Sequence, residues 1–171
     1  MIKYEDIKSM NPEWDFTEFV ELLPDEGTLL ELGSFVGKST ICWAKTFNEF
    51  GKKWNIHTVD LFGGLTKVYK ESLRINGQEQ FRQFKENIEG WDNITWERKY
   101  VGATYKSPVE PTALFYDCDN RPEIIKGILE TYKDVPFIFI DDCNNQFPEK
   151  IDLIESLNRD YYISNDIACI T

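Results

Sequence analysis

The stretch Leu29-Leu30-Glu31-Leu32-Gly33-Ser34-Phe35-Val36-Gly37-Lys38-Ser39-Thr40 decides the fold of this chain. An apolar run ends in an acidic residue, a turn with two glycines follows, and residues 41–45 then have the composition of a helix. The pattern predicts a strand, a tight turn and a helix in succession. Such a turn places backbone N–H groups and a helix N-terminus at the carboxyl edge of a sheet, where α/β proteins bind nucleotide-like ligands.

The spacing within this turn separates two classes of ligand. A phosphate-binding P-loop has four residues between its first glycine and Gly-Lys-Ser/Thr, whereas only residues 34–36 lie between Gly33 and Gly37. Glu31 would also repel a phosphate. S-adenosylmethionine (SAM) fits better, because it carries a sulfonium, an ammonium and a ribose. The P-loop NTPase stays open as an alternative, since residues 37–39 and 137–142 imitate its two motifs.

The rest of the chain alternates apolar runs with amphipathic segments. Strands are predicted up to residue 31 and at residues 54–60, 94–98, 112–116 and 136–140, with a hairpin at residues 161–163 and 167–170. Helices are predicted at residues 11–23, 37–49, 79–88, 122–132 and 148–157. Residues 63–77 are interpreted as a loop or a short helix. This alternation predicts an α/β fold with a Rossmann-like, doubly wound, mostly parallel sheet, helices on both faces and a C-terminal antiparallel hairpin.

Composition and charge exclude several classes of function. The 171 residues are 42% hydrophobic and 15% aromatic, which is typical of a folded globular protein. A net charge of −11 argues against nucleic-acid and membrane partners. The start is too polar for a signal peptide, no apolar run reaches membrane-span length, and the four cysteines are interpreted as buried thiols of a reducing compartment. We expect one cytoplasmic domain, residues 1–171, with a small-molecule substrate, and a homo-oligomer stays open.

Acidic residues follow three of the predicted strands. Asp60 closes the second strand, where a carboxylate accepts hydrogen bonds from ribose hydroxyls in nucleotide-binding folds. Asp117 and Asp119 follow the fourth strand, and Asp141 and Asp142 follow the fifth. Because the carboxyl ends of neighbouring parallel strands share one edge, we expect the last four to converge. Like charges at short range are costly unless a cation neutralises them, so the pattern predicts a Mg²⁺ site.

Two parts of the chain carry a family resemblance. The glycine turn resembles motif I of class I SAM-dependent methyltransferases, Glu-x-Gly-x-x-x-Gly-x-Ser. The acidic segments Tyr116-Asp117-Cys118-Asp119 and Ile138-Phe139-Ile140-Asp141-Asp142-Cys143-Asn144, with a helix between them, look like the macrocin O-methyltransferase family. Members of that family are Mg²⁺-dependent and methylate sugar hydroxyls of natural products. The resemblance covers residues 29–145, and Cys118 stands where the family has glycine.

The resemblance implies strand order 3-2-1-4-5-7-6 and a role for each matched residue. SAM would be bound by motif I, by the acids after the second and fourth strands and by the turn after the third strand, which together comprise Glu31, Gly33, Ser34, Gly37, Ser39, Asp60, Gly102, Ala103 and Asp117. Mg²⁺ would be held by Asp117, Asp141 and Asp142, and Asp119 would be the general base.

These expectations define one function and two alternatives. We expect a SAM-dependent O-methyltransferase, assisted by Mg²⁺, that acts on a small hydroxylated substrate, with sugar-containing molecules among the candidates. The alternatives are the P-loop NTPase and a non-catalytic SAM-fold binding protein, which would bind SAM without turnover.

Overall fold

A seven-stranded sheet forms the centre of the protein, for which a computed structural model describes residues 4–7, 13–63, 75–144 and 146–171. The strands are β1 (Glu26–Leu32), β2 (Lys53–Asp60), β3 (Ile94–Arg98), β4 (Ala113–Tyr116), β5 (Phe137–Ile140), β6 (Tyr161–Ser164) and β7 (Ile167–Ile170). The helices in the described residues are α1 (Thr17–Leu22), α2 (Lys38–Glu49), α3 (Gly77–Asn87), α4 (Pro122–Thr131) and α5 (Pro148–Glu155), with a 3-10 turn at Tyr4–Asp6.

The strand order is β3-β2-β1-β4-β5-β7-β6, which confirms the predicted topology. Strands β1 to β5 are parallel to their neighbours, and β7 runs antiparallel to both β5 and β6 as the predicted closing hairpin. The order reverses between β1 and β4. In open α/β sheets a crevice opens at such a reversal, outside the carboxyl ends of the strands, and ligands bind there.

Alternating side chains of the strands fill two apolar cores, one on each face of the sheet. On one face Leu29 and its neighbours pack beneath α1, α2 and α3. On the other face Leu30 and Leu32 pack beneath α4 and α5. Because Glu31 alternates with Leu30 and Leu32, its side chain points to the first face, under the start of α2.

The N-terminal helix is shorter than predicted. The apolar spacing over residues 11–23 predicts a helix that starts near Asp15, but the described residues 13–16 are not helical and α1 begins at Thr17. The Asp15 carboxylate accepts a hydrogen bond from the Thr17 amide (2.9 Å), which favours a turn before the helix. This non-helical segment also brings Phe16 flat against Trp43 of α2, with ring centroids 3.9 Å apart. The Asp15 turn and the stacking of Phe16 therefore occupy the place where the helix was expected to begin.

The segment between β2 and α3 falls largely outside the description. Of the predicted loop at residues 63–77, residues 64–74 are not among the described residues. Helix α3 then begins at Gly77, two residues earlier than predicted, because the Asn76 side chain accepts a hydrogen bond from the Glu79 amide (2.9 Å) and caps it. No helix within the described part of the chain is both long and apolar enough to cross a membrane.

Candidate functional site

The glycine turn brings the end of β1 against the end of β4. Gly33 has φ of 96°, and a Cβ at this position would lie 1.8 Å from the backbone carbonyl oxygen of Asp117. Gly37, with φ of 87°, then starts α2, and its amide donates to the Ser34 carbonyl oxygen (2.7 Å). Only glycine fits both the left-handed backbone and the close approach at residue 33. The turn therefore sits directly beside the acidic end of β4.

Glu31 and Ser39 bind each other beneath the turn. Glu31 is fully buried, and its carboxylate accepts hydrogen bonds from Ser39 Oγ (2.7 Å) and Thr40 Oγ1 (2.5 Å). Burial raises the pKa of Glu31 to about 7, although the two hydroxyl donors oppose the rise. Both residues were predicted to bind the cofactor. In this structure their side chains brace the start of α2 against β1, so they would support a ligand indirectly.

Asp60 at the end of β2 closes the glycine turn. Its Oδ2 accepts from the amides of Ser34 (3.1 Å) and Phe35 (2.8 Å). Its Oδ1 accepts from the Phe62 amide (2.5 Å) and from Gln80 Nε2 (3.4 Å). Burial raises the pKa of Asp60 against these donors. A carboxylate offers about four lone-pair sites, so the predicted ribose contact would have to displace a donor, and the Gln80 bond is the longest of the four.

One polar atom of the turn is left without a partner. Ser34 is 3% exposed, and its Oγ has no hydrogen-bond partner among the described residues. A buried hydroxyl without a partner costs free energy unless a ligand or water satisfies it. The glycine turn therefore offers a hydrogen-bonding group to a molecule in the crevice.

Two carboxamides of α3 hold the turn from the other side, and the sequence analysis missed both. Asn87 Nδ2 donates to the Val36 carbonyl oxygen (2.7 Å), and Gln80 Nε2 also reaches the Phe35 carbonyl oxygen (3.2 Å). Both side chains are buried. Residues 80, 84 and 87 share one face of a helix. A polar residue on each side of Phe84 was the available signal, but the apolar spacing alone assigns that face to the core.

The turn after β3 lies next to the end of β2. The Lys99 amide donates to the Asp60 carbonyl oxygen (3.0 Å), which holds the two strand ends together. Beyond it, the Gly102 carbonyl oxygen accepts from the Tyr105 amide (3.0 Å), and Ala103 packs closely on α4. Leu61 and Tyr100 are each about half exposed at these strand ends. The predicted Gly102–Ala103 turn therefore occupies the rim of the crevice.

Three of the four predicted aspartates converge. Asp117, Asp141 and Asp142 each present a carboxylate oxygen, and these oxygens lie within 4.8 Å of one another. Burial and repulsion between the neighbouring carboxylates raise the pKa of Asp117 well above its ordinary value, and burial raises the pKa of Asp141 to about 6. The backbone of Asp142 is left-handed, with φ of 57°, and Asn120 Nδ2 donates to its Oδ2 (3.1 Å). Clustered carboxylate oxygens of this kind suit a hard divalent cation.

Asp119 does not join this cluster, which corrects the expectation that all four would converge. Its carboxylate forms an ion pair with Arg121, whose Nη2 lies 2.6 Å from Asp119 Oδ2 and whose Nε lies 3.0 Å from both carboxylate oxygens. The guanidinium lowers the pKa of Asp119. Arg121 Nη2 also donates to the Tyr100 hydroxyl (2.8 Å). The residue predicted to be the base, Asp119, is therefore paired with the guanidinium of Arg121, two residues further along the chain.

The cysteine prediction was correct for three positions and wrong for one. Cys42, Cys143 and Cys169 are buried, whereas Cys118 is exposed. Cys118 lies between Asp117 and Asp119 on the turn that leaves β4, and its Cα is 3.1 Å from where a Cβ of residue 33 would be. Although the residue as a whole is exposed, partial desolvation of the thiol and the charges of Asp60, Asp119 and Asp117 raise the pKa of Cys118 to about 12.

The strand order, the terminal hairpin and the glycine turn at the β1–β4 reversal define the fold of class I SAM-dependent methyltransferases. No protein-family model matches the chain, and no curated protein matches it by sequence. The likeness lies in the three-dimensional structure. It disfavours the P-loop NTPase, and the turn agrees, since the amides of Ser34 and Phe35 point to a carboxylate instead of an open phosphate cradle.

Three solved structures illustrate the likeness. The O-methyltransferase NovP superposes with a TM-score of 0.61 at 14% identity, over 91% of this chain and 74% of that one. The precorrin-6y C5,15-methyltransferase of Geobacter metallireducens gives 0.60 at 11% identity, over 90% and 82%. The SAH-bound Podospora anserina methyltransferase PaMTH1 gives 0.53 at 14% identity, over 84% and 70%. At these identities the likeness establishes the fold.

Proposed function

We propose that this protein is a SAM-dependent O-methyltransferase that acts, with Mg²⁺, on a small hydroxylated acceptor, a sugar hydroxyl being one candidate. One observation carries the proposal. The glycine turn and the carboxylate cluster share Asp117, whose backbone carbonyl lies against Gly33 and whose side chain belongs to the cluster. Methyl transfer needs the donor and the acceptor hydroxyl held in line, and two adjoining sites supply that arrangement.

The crevice has groups that match the parts of SAM. SAM supplies an electrophilic methyl group on a sulfonium. In the proposal Ser34 Oγ, which has no partner among the described residues, forms a hydrogen bond with the cofactor. Asp60 accepts a hydrogen bond from a ribose hydroxyl in place of its long bond from Gln80. Leu61 and Tyr100 flank the adenine beside the Gly102–Ala103 turn, because these exposed apolar side chains stand at the strand ends. SAH, the demethylated product, is bound in one of the similar structures.

The carboxylate cluster would serve the acceptor. Asp117, Asp141 and Asp142 would hold Mg²⁺, and a bound divalent ion lowers the pKa of a hydroxyl that coordinates it. The donor set fits, because three buried or half-buried carboxylates lie within 4.8 Å of one another and burial raises the pKa of Asp117 and Asp141, so a cation would stabilise their charged forms. The side chains of this cluster would then orient the acceptor oxygen toward the glycine turn, where the methyl donor lies.

Asp119 is proposed as the base that removes the hydroxyl proton, a role it takes from the family resemblance. To accept a proton it would have to give up part of its pairing with Arg121. Arg121 is half exposed, so its side chain has room to move when an acceptor enters. The ion pair would thus keep Asp119 charged until the acceptor arrives.

The same ion pair favours a second candidate, a non-catalytic SAM-binding protein. A carboxylate whose pKa is lowered by a bound guanidinium is a weak base. If Arg121 never leaves Asp119, the chain would bind SAM and SAH without methyl transfer. The two candidates agree on the cofactor and differ only in turnover.

A ligand panel and a transfer assay test these proposals. Thermal unfolding should shift upward with S-adenosylhomocysteine and stay unchanged with ATP·Mg²⁺; ligand at about 100 times its dissociation constant adds about 2.7 kcal/mol. Incubation with labelled SAM and a panel of hydroxylated sugars and phenols should give a labelled product that EDTA abolishes and Mg²⁺ restores. A shift with ATP alone would overturn the proposal, and SAH binding without any product would favour the binding protein.

A further inference from the structure

A buried lysine lies beneath the carboxylate cluster. Lys150, the third residue of α5, is 2% exposed, and its Nζ donates to the backbone carbonyl oxygen of Asp141 at 2.5 Å. The ammonium also lies 5.2 Å from the centre of the Phe147 ring. Within the described part of the chain no carboxylate oxygen lies within 4.0 Å of it, so it forms no direct ion pair there.

A buried ammonium without a direct partner is costly, so something nearby has to stabilise it. One hydrogen bond to a carbonyl and one ring contact leave much of its charge unbalanced. The carbonyl that Lys150 Nζ contacts belongs to Asp141, a member of the carboxylate cluster, so the cluster supplies opposite charge beside the ammonium. In line with this contact, the Lys150 charge opposes the rise in the pKa of Asp117 and Asp141 that burial and neighbouring carboxylates cause.

We propose that Lys150 is a resident cation of the carboxylate cluster: it offsets part of the negative charge in the metal-free protein, holds the Asp141–Asp142 turn in place, and lowers the affinity of the cluster for a divalent ion. The part about metal affinity rests on the proposed function. The part about charge balance does not, since the three carboxylates lie within 4.8 Å of one another in the metal-free protein.

The proposed role and a merely structural role predict effects of opposite sign on metal binding, so an experiment can separate them. A residue that only supports the turn should weaken metal binding when it is removed. A resident cation should strengthen metal binding when its charge is removed, because it no longer repels the incoming ion. Lys150→Gln is the informative variant, since it removes the charge and keeps a polar N–H donor on a side chain that is one bond shorter. Lys133→Met is the matched control, because it removes an exposed lysine charge after α4.

The first experiment measures Mn²⁺ binding to the full metal-free chain by titration calorimetry. Lys150→Gln should bind Mn²⁺ about five- to tenfold more tightly than the parent chain, as expected for loss of one nearby like charge at intermediate dielectric. Lys133→Met should change the dissociation constant less than about twofold, because exposed distant charges are screened. Equal or weaker Mn²⁺ binding by Lys150→Gln would overturn the proposal.

The second experiment measures stability in EDTA and needs no metal. In a double-mutant cycle, Lys150→Gln should lower the unfolding midpoint of the parent chain more than that of Asp142→Asn, because the variant cluster has one carboxylate fewer to balance. Additive effects would overturn the charge-balance role. If the single Lys150→Gln variant does not fold, its recovery in the Asp142→Asn background supports the proposal and failure there refutes it. If the parent chain takes up no Mn²⁺, the metal part of the proposed function fails, and this cycle still decides the role of Lys150.

Discussion

The backbone carbonyl oxygen of Asp117 occupies the space that a Cβ of residue 33 would need, at 1.8 Å from its ideal position. This contact joins the turn after β1 to the end of β4. It also places the carboxylate of Asp117, one member of the acidic cluster, beside the crevice in which we propose that SAM binds. Gly33 therefore allows the chain to bend and also allows the glycine turn to lie against the carboxylate cluster.

Gly33→Ala should strongly destabilise the protein. The new Cβ has to displace backbone, and the left-handed φ adds strain, so we expect a loss of at least about 3 kcal/mol in the free energy of unfolding. Gly51→Ala is the control: it also has a positive φ, of 67°, but no atom lies within 4 Å of the place that its Cβ would take. Urea unfolding of both variants measures the difference. Equal losses would mean that the contact with Asp117 relaxes freely.

Asp60→Asn should weaken both the turn and the cofactor site. An amide group cannot accept from all four donors that face the Asp60 carboxylate, so we expect stability to fall by about 1–3 kcal/mol. The SAH dissociation constant, measured by calorimetry, should rise about tenfold or more if the residue also meets the ribose. The exposed Asp92→Asn serves as control for loss of charge. Lower stability with unchanged SAH affinity would restrict Asp60 to closing the glycine turn.

Asn87→Ala should raise the SAH dissociation constant while leaving the fold intact. The variant frees the Val36 carbonyl oxygen that Asn87 Nδ2 holds, so the glycine turn loses one of its supports from α3. We expect a roughly tenfold loss of affinity, equivalent to about one buried hydrogen bond. Gln83→Ala, which removes a carboxamide bonded to Glu79 on the same helix, should leave affinity unchanged. A similar loss in both variants would point to the helix as a whole.

Metal-free protein should become less stable as pH rises from about 4.5 to about 7. Burial raises the pKa of Glu31 from 4.5 to about 7, so the folded state holds a proton that the unfolded state has lost in this range. Stability from this group is complete below pH 4.5 and falls by about 3 kcal/mol through pH 7. Asp60, Asp117 and Asp141 shift in the same direction. Unfolding in EDTA across this range should show a shallower slope for Glu31→Gln; an unchanged slope would contradict the prediction.

Asp119→Asn should slow methyl transfer by roughly 10²–10⁴-fold with SAH affinity preserved, if Asp119 is the base. Arg121→Met should move the acidic limb of the pH–rate profile to higher pH, because the guanidinium that lowers the pKa of Asp119 is gone. Single-turnover rates measured across pH give both the rate loss of Asp119→Asn and the shift in the profile of Arg121→Met. Full activity of Asp119→Asn would leave the ion pair as a structural link between the β4 end and Tyr100.

The order of helices and strands could be read from the sequence because each element has its own local signal. Apolar runs such as residues 137–140 are long enough for a doubly covered strand, and Pro122 and Pro148 mark helix starts. The exception was the segment before α1. There the helical spacing of Trp14 and Phe16 predicted a longer helix, but Phe16 stacks on Trp43, 27 residues further along the chain, and its backbone is not helical.

The candidate site was predictable only where topology alone brings residues together. Asp117, Asp141 and Asp142 follow adjacent parallel strands, so the sequence by itself determined their convergence. Which partners engage the other acids was decided by tertiary structure. Arg121 forms an ion pair with Asp119, and the turn amides and Gln80 donate hydrogen bonds to the Asp60 carboxylate. Lys150 donates a hydrogen bond to the Asp141 carbonyl oxygen. Side-chain direction, burial and competition among donors select these pairs, and none of the three can be read from spacing along the chain.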